Sequence, residues 1–286
     1  MAGLAFRIFH STLSKLGFWD SFAQTYLRDG RRLRSIPRNG KCLFQVVGVP
    51  RSGTTVMAAK LSNHPRIICL NEPYLIWQRK GEMAMTPAQQ ARGLPARVRG
   101  KTPQGLLREL CENPELQFIG FKETFRIRQP HGHYPNDQFL QAIDRAKAVD
   151  KTIAIVRNPK DVWNSHRKKQ LKSKPGASVQ LTTAFTDNWN AYARWVRDGR
   201  LFVLKYEDMV ADPHREFIRM TDYLGAAFLP EMLDGMAAES AGDAPKPHER
   251  ALFTTSVGGN LHDLREEEHR LISGQCGEGM AHFGYG

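Results

Sequence analysis

Short, nearly continuous apolar runs alternate along this chain with stretches whose apolar positions recur every three or four residues. "CLFQVVGV" (42–49) is the first such run, and its unbroken apolar character is that of a strand buried on both faces of a parallel sheet. "RIICL" (66–70), "FIGFK" (118–122), "TIAIVR" (152–157) and "LFVLKY" (201–206) repeat the pattern. Between them the spacing predicts a helix over 53–63 ended by His64-Pro65, and another over 136–148 with Asn136 or Asp137 as its cap. A third helix opens near Pro159, an amphipathic one over 186–198 carries Trp189, Tyr192 and Trp195, and a last one over 212–224 is closed by Gly225. This alternation predicts an α/β fold: a doubly wound parallel sheet of the phosphate-loop type, flanked by helices, in one domain spanning 1–286.

Two segments stand outside the pattern. Residues 1–40 read as a helical extension followed by the basic run "RDGRRLRSIPRNGK". Residues 74–116 are polar, rich in Gln, Arg, Gly and Pro, and read as an irregular, acceptor-facing insertion or lid, with Tyr74, Trp77, Arg79, Arg92, Arg97 and Arg99 as its aromatic and basic groups.

Apolar residues make up 41% and charged residues 24%, ordinary for a globular chain, but the formal net charge is +12. That excess favours anionic partners, among them phosphate- or sulfate-bearing cofactors, polyanions and acidic membrane faces. The four cysteines are widely spaced, matching neither a zinc site nor a disulfide framework. "MAGLAFRIFHSTLSKLGFW" has Arg7 within its apolar stretch, which fits neither a signal peptide nor a membrane span. The expectation is a cytoplasmic, reduced protein whose basic amphipathic N-terminal segment is able to touch a membrane surface.

The chemistry concentrates after the first strand. In "GVPRSGTT" (48–55) a Gly-rich turn leads into a helix, whose first N–H groups and positive dipole end attract an anion. Gly53 permits close backbone approach, Ser52, Thr54 and Thr55 supply hydroxyls, and Arg51 supplies a planar cation able to engage two oxygens. A triphosphate loop would place Lys directly after the second glycine, where this chain has Thr54. With no acidic magnesium ligand evident either, the loop suits a shorter nucleotide that needs no metal. "IAIVRNPKDVWNSHRKK" offers a second anion site, with Arg157 at a strand end, Ser165 about two helical turns later and Lys169 one turn beyond. Alone, Arg157 reads first as half of an ion pair. Together the two sites imply a nucleotide with phosphates on both sides of its ribose.

These motifs resemble those of the PAPS-dependent sulfotransferases, particularly the branch of protein-tyrosine sulfotransferases and related bacterial enzymes. "GVPRSGTT" resembles the family's 5′-phosphosulfate loop and "VRNPKDVWNSH" its 3′-phosphate motif. "VLKYEDMVADPHREFIRMTDYLG" and the ending "MAHFGY" also have counterparts there. The resemblance covers roughly 42–72, 118–225 and the last forty residues. It implies 3′-phosphoadenylyl sulfate (PAPS) as co-substrate, adenosine 3′,5′-bisphosphate (PAP) as product, no metal, and a hydroxyl-bearing acceptor: peptide, glycan or lipid.

The resemblance also implies roles. Arg51 and Lys122 serve the sulfuryl oxygens, although Lys122 reads equally as a snorkelling surface lysine. Glu72, in "LNEP", is the base that takes the acceptor's proton, with His131, His133 and His166 as runners-up. Tyr206 meets the adenosine, and Ser256 lies in a C-terminal loop over the cofactor. That loop lacks the family's usual basic residue, for which Arg250 or Arg265 could substitute. Two other classes remain open: a phosphate-loop kinase, and a non-catalytic polyanion binder resting on the charge alone. The dispersed basic residues, without interleaved aromatics, argue against nucleic acid.

Overall fold

The structure is a computed structural model and describes residues 32–127, 136–173, 179–199, 201–233 and 263–286. Each apolar run forms a strand: β1 (Cys42–Gly48), β2 (Ile67–Asn71), β5 (Phe118–Thr124), β6 (Lys151–Val156) and β7 (Phe202–Lys205). They assemble as one parallel sheet in the order β2-β5-β1-β6-β7. The chain runs outward from β1 to one side, returns, and continues to the other. The carboxyl ends beside β1 are therefore a topological switch point, where open α/β sheets form their ligand crevices.

The period-two geometry of β1 divides the core. Phe44 and Val46 point to one face and pack with Met57, Ala58 and Leu61 of α1 (Thr54–Leu61) and with Phe217, Met220 and Leu224 of α9 (Pro213–Leu224). Leu43 and Val47 point to the other face, toward α5 (Asp137–Arg145) and α7 (Thr183–Asp198). On α7, Trp189 and Tyr192 are almost wholly buried, and the Tyr192 hydroxyl lies 3.0 Å from the carbonyl oxygens of both Val47 and Ile155. It thereby ties the helix across two adjacent strands. At the third predicted helix, α6 (Pro159–Ser173), Pro159 is the first helical residue.

Three sequence expectations change. The segment 74–116 is not irregular: it contains α2 (Pro73–Lys80), a two-stranded antiparallel hairpin of β3 (Glu82–Ala84) and β4 (Arg97–Arg99) enclosing the short α3 (Pro87–Gln90), and α4 (Pro103–Glu112). Thr102 caps α4 by accepting from the Gly105 N–H, and Leu106, Leu107, Leu110 and Cys111 enter the core. Tyr74 packs against Phe121 and Phe139, and Arg92 donates to the backbone carbonyls of Ser62, His64 and Ile67. Both are engaged within the fold, whereas Arg97 and Arg99 are exposed around Glu82.

The second change is at Asn136, which stands at the N-cap of α5 but makes no side-chain cap bond. It bridges the backbone of Arg126 and Thr124 instead, holding the chain as it leaves β5. Third, a C-terminal helix, α10 (Glu266–His282), packs on α7 and α6. A Cβ at Gly279 would stand 2.7 Å from the Trp189 ring, so this glycine sets the close approach of α10 to α7. Among the described residues, no helix is long and apolar enough to cross a membrane.

Candidate active site

All of the described candidates lie at or just beyond the carboxyl ends of the parallel strands, except those on α6 and Arg265. After β1 the chain turns through Arg51 (φ 73°) and Gly53 (φ 91°), both left-handed. A Cβ at Gly53 would meet the Tyr206 ring at 2.4 Å, so the loop can lie against that ring only with glycine there. Gly53 is also the N-cap of α1 and has no side chain to offer the first-turn amides, which remain suited to an external anion. Ser52 is buried and its hydroxyl donates to Val49 O, so it shapes the turn. Thr54 is buried and Thr55 exposed at the start of α1.

The two anion motifs meet. Arg157 donates from Nη1 to the Arg51 carbonyl (3.0 Å), and its guanidinium lies 4.3 Å from the Tyr206 ring centre. Arg51 in turn donates from Nε to Ser165 Oγ (3.1 Å). Partial burial, and then the neighbouring Arg157 charge, lower the Arg51 pKa; an arginine stays cationic regardless. Two guanidiniums, one hydroxyl and one aromatic face thus stand in a chain of direct contacts. Lys169 is exposed, one turn beyond Ser165. His166 stacks on Trp163 and pairs with Gln170, away from these groups.

The second half of the site joins β2 and β5, whose register sets Asn71 opposite Lys122. Lys122 is not a surface lysine: it is buried, and its Nζ donates to Glu72 Oε1 (3.0 Å), Thr124 Oγ1 (3.2 Å) and Thr55 Oγ1 (3.3 Å). Burial holds its pKa below the ordinary lysine value, against the opposing pull of Glu72. Thr124 also donates to Glu72 Oε1, and Arg126 Nη2 stands 3.8 Å from the same oxygen. All three groups engage Oε1, and among the described residues no hydrogen bond reaches Oε2 of this partly exposed carboxylate. Burial pushes the Glu72 carboxyl up, but Lys122, Thr124 and Arg126 together outweigh it, and the net pKa lies below the usual carboxylate value. Glu72 has left-handed backbone (φ 48°, ψ 46°), which for a non-glycine costs about 1–3 kcal/mol.

Next to Lys122, on the opposite face of β5, Glu123 is buried, and burial followed by the Glu72 charge raises its carboxyl to about 8. The folded value exceeds the ordinary 4.5, so its contribution to stability is complete below about pH 4.5 and is lost as pH rises toward 8. Glu123→Gln should therefore match the wild type in denaturant midpoint near pH 4 and exceed it at pH 8. Equal midpoints at both pH values would place an ordinary ionised carboxylate there.

Of the remaining candidates, Arg265 is the N-cap of α10 and pairs with Glu268, which also accepts from Trp163 and Arg167. This cluster fastens α10 to α6. Ser256, Arg250, His131 and His133 lie outside the described residues. Thr124, Arg126 and Glu123 are site residues that sequence reasoning missed, since it ended β5 at Lys122. Period-two alternation carried past Lys122 would have put Thr124 on the same face. Among the described residues, no group of three or more His, Cys, Asp or Glu is placed to hold a metal ion.

A Gly-opened turn at the switch point of a parallel sheet thus stands beside a buried lysine paired with a partly exposed carboxylate. Residues 44–230, more than half of the chain, match the model of the sulfotransferase family, and the chain belongs to that family, whose general reaction is PAPS-dependent sulfuryl transfer. It is 24% identical over 211 residues to a candidate protein-tyrosine sulfotransferase of Caenorhabditis briggsae, covering 68% of this chain and 69% of the relative. It is 27% identical over 148 residues to sulfotransferase 1A1 of Mus musculus, covering 47% of this chain and 50% of the mouse protein. In fold it is similar to the mouse sulfotransferase SULT7A1, whose structure was solved with PAP: the TM-score is 0.51 at 18% identity, covering 87% of this chain and 86% of the other.

Proposed function

We propose that this enzyme moves a sulfuryl group from PAPS to an acceptor hydroxyl by in-line displacement, with Glu72 as general base. The observation that carries the reading is the Glu72–Lys122 pair beside the Arg51 loop, with one carboxylate oxygen held and the other without a hydrogen bond among the described residues. When bound, PAPS supplies the sulfuryl group and a phosphate leaving group. The loop amides, Arg51 and Thr55 fit its 5′ end; Arg157 and Ser165, with Lys169 one turn further, fit its 3′-phosphate; the Tyr206 ring fits the adenosine side.

In the transfer, a bond forms between the acceptor oxygen and sulfur while the bond from sulfur to the phosphate oxygen breaks. Glu72 Oε2 accepts the hydroxyl proton, and PAP departs with the released electron pair. Charge on the equatorial and leaving oxygens is met by Arg51 and by the Lys122 ammonium, whose preorganised positions supply the stabilisation. Lys122 also keeps Glu72 ionised in the absence of substrate. The family resemblance also assigns Ser256 to cofactor binding.

The acceptor bears a hydroxyl and is a peptide, a glycan or a lipid. A screen of these three classes with sulfur-labelled PAPS should find label entering one class, with an equal amount of PAP released. Label transfer from γ-labelled ATP instead of PAPS would contradict the proposal. A narrower expectation concerns Arg157. Arg157→Ala should weaken PAP by about 1.5–3 kcal/mol, the worth of a charged hydrogen bond, and weaken adenosine 5′-phosphate far less. Equal losses for both ligands in calorimetry would place Arg157 away from the 3′-phosphate.

A further inference from the structure

The N-terminus of α2 poses an unusual arrangement. Its N-cap residue is Glu72, yet the Glu72 side chain makes no cap bond, because its carboxylate is turned to Lys122 and Thr124. An N-cap side chain ordinarily accepts from the second or third helical N–H. Pro73, the first helical residue, has no N–H, so the amides of Tyr74 and Leu75 are the ones that need a partner. Both donate to Oε1 of Glu123, at 2.8 and 3.4 Å, across from the neighbouring strand. The other Glu123 oxygen, Oε2, is buried with no hydrogen-bond partner among the described residues.

We propose that Glu123 is a positioning residue: it caps α2 from β5 in place of Glu72, and so leaves the Glu72 carboxylate to face the transfer site. This rests on the reading of Glu72 as the base.

Three further features agree. The Glu72 backbone is left-handed, outside the extended conformation usual for an N-cap, and this departure accompanies a side chain directed away from the helix. Its N–H donates to Lys122 O at 2.7 Å, so the residue is tied to β5 on both sides of the Lys122–Glu123 step. Finally, burial and the Glu72 charge raise the Glu123 carboxyl to about 8, which favours its neutral form. In that form it caps the helix without adding a second negative charge to compete with Glu72 for Lys122. The charged groups around it are Glu72 on α2 and Lys122 and Arg126 on and after β5. Without Glu123, the amides of Tyr74 and Leu75 would compete with Lys122 for the Glu72 carboxylate.

The test is a double-mutant cycle on turnover, with PAP affinity measured by calorimetry for each variant. Glu123→Ala alone should lower kcat by tens-fold while PAP affinity stays within about threefold. Glu123→Gln, isosteric with the neutral acid and still an acceptor for both amides, should restore most of the turnover. In a Glu72→Gln background, Glu123→Ala should cost almost nothing further, because its effect passes through the carboxylate. A merely structural role would cost the same in both backgrounds, and that additivity would overturn the proposal. So would a Glu123→Gln variant as slow as Glu72→Gln, a comparison that still decides if Glu123→Ala does not fold. Full turnover in Glu72→Gln alone would remove the base, and with it the task assigned to Glu123. Slow Glu72→Gln with additive effects would remove Glu123 only.

Discussion

Arg51→Ala should lose about 10²-fold or more in turnover while its thermal unfolding midpoint stays close to that of the wild type. The side chain is exposed and is not part of either core cluster, so truncation removes no packing. Its backbone conformation is held by the carbonyl bond from Arg157 and by the Gly53 turn, neither of which needs the guanidinium. What disappears is a donor placed at the head of the anion loop, where preorganised charge is worth roughly 10²–10³ in rate. Arg51→Lys should recover only part of the loss, since a point charge cannot reproduce the two-oxygen fork that also reaches Ser165. Near-normal turnover in Arg51→Ala would take Arg51 out of the mechanism.

Glu72→Gln should bind PAP as the wild type does and turn over about 10²–10⁴ more slowly, the usual worth of a positioned proton acceptor. The amide occupies the same volume beside Lys122, but it cannot take the acceptor's proton. Removal of the carboxylate also removes the main counter-charge to a buried ammonium, so Lys122 should become easier to deprotonate. The pH profile carries a separate signature. Lys122, Thr124 and Arg126 hold the Glu72 pKa below the ordinary 4.5, so the wild type should remain active down to lower pH than an unperturbed glutamate would allow. Any acidic limb that Glu72 supplies should vanish in the variant. A variant with full activity would defeat the assignment; one that fails to bind PAP would make Glu72 a support of the loop.

The sheet was legible because five apolar runs become five strands, four of them mostly buried, while the edge strand β7 buries only Leu204. The anion loop was legible for a local reason: "PRSGTT" places glycine at a left-handed turn directly before a helix start, with Arg51 and Thr55 beside it. Other parts depended on contacts that no local spacing encodes. Arg157 reaches the Arg51 carbonyl from 106 positions away, so two motifs that read as separate anion sites are in direct contact.

Helix α4 was hidden by the Gly, Pro and Arg residues around it, although its apolar positions 106, 107, 110 and 111 form one face. Helix α10 was hidden by Gly274, Gly277 and Gly279, residues of low helix propensity. The last of these is there to admit Trp189. Glu123 gave no signal, because a carboxylate that caps a helix from another strand belongs to no sequence motif.

Under the proposed function this loop holds PAPS and not a nucleoside triphosphate. Calorimetric titration of the wild-type protein with PAP, set against ATP with magnesium and against heparin, tests it most directly. The account predicts saturable one-site binding of PAP without any divalent cation, with affinity lowered in Arg157→Ala, and weaker binding of the other two. Tighter binding of magnesium-ATP, or of heparin with no response to PAP, would contradict it.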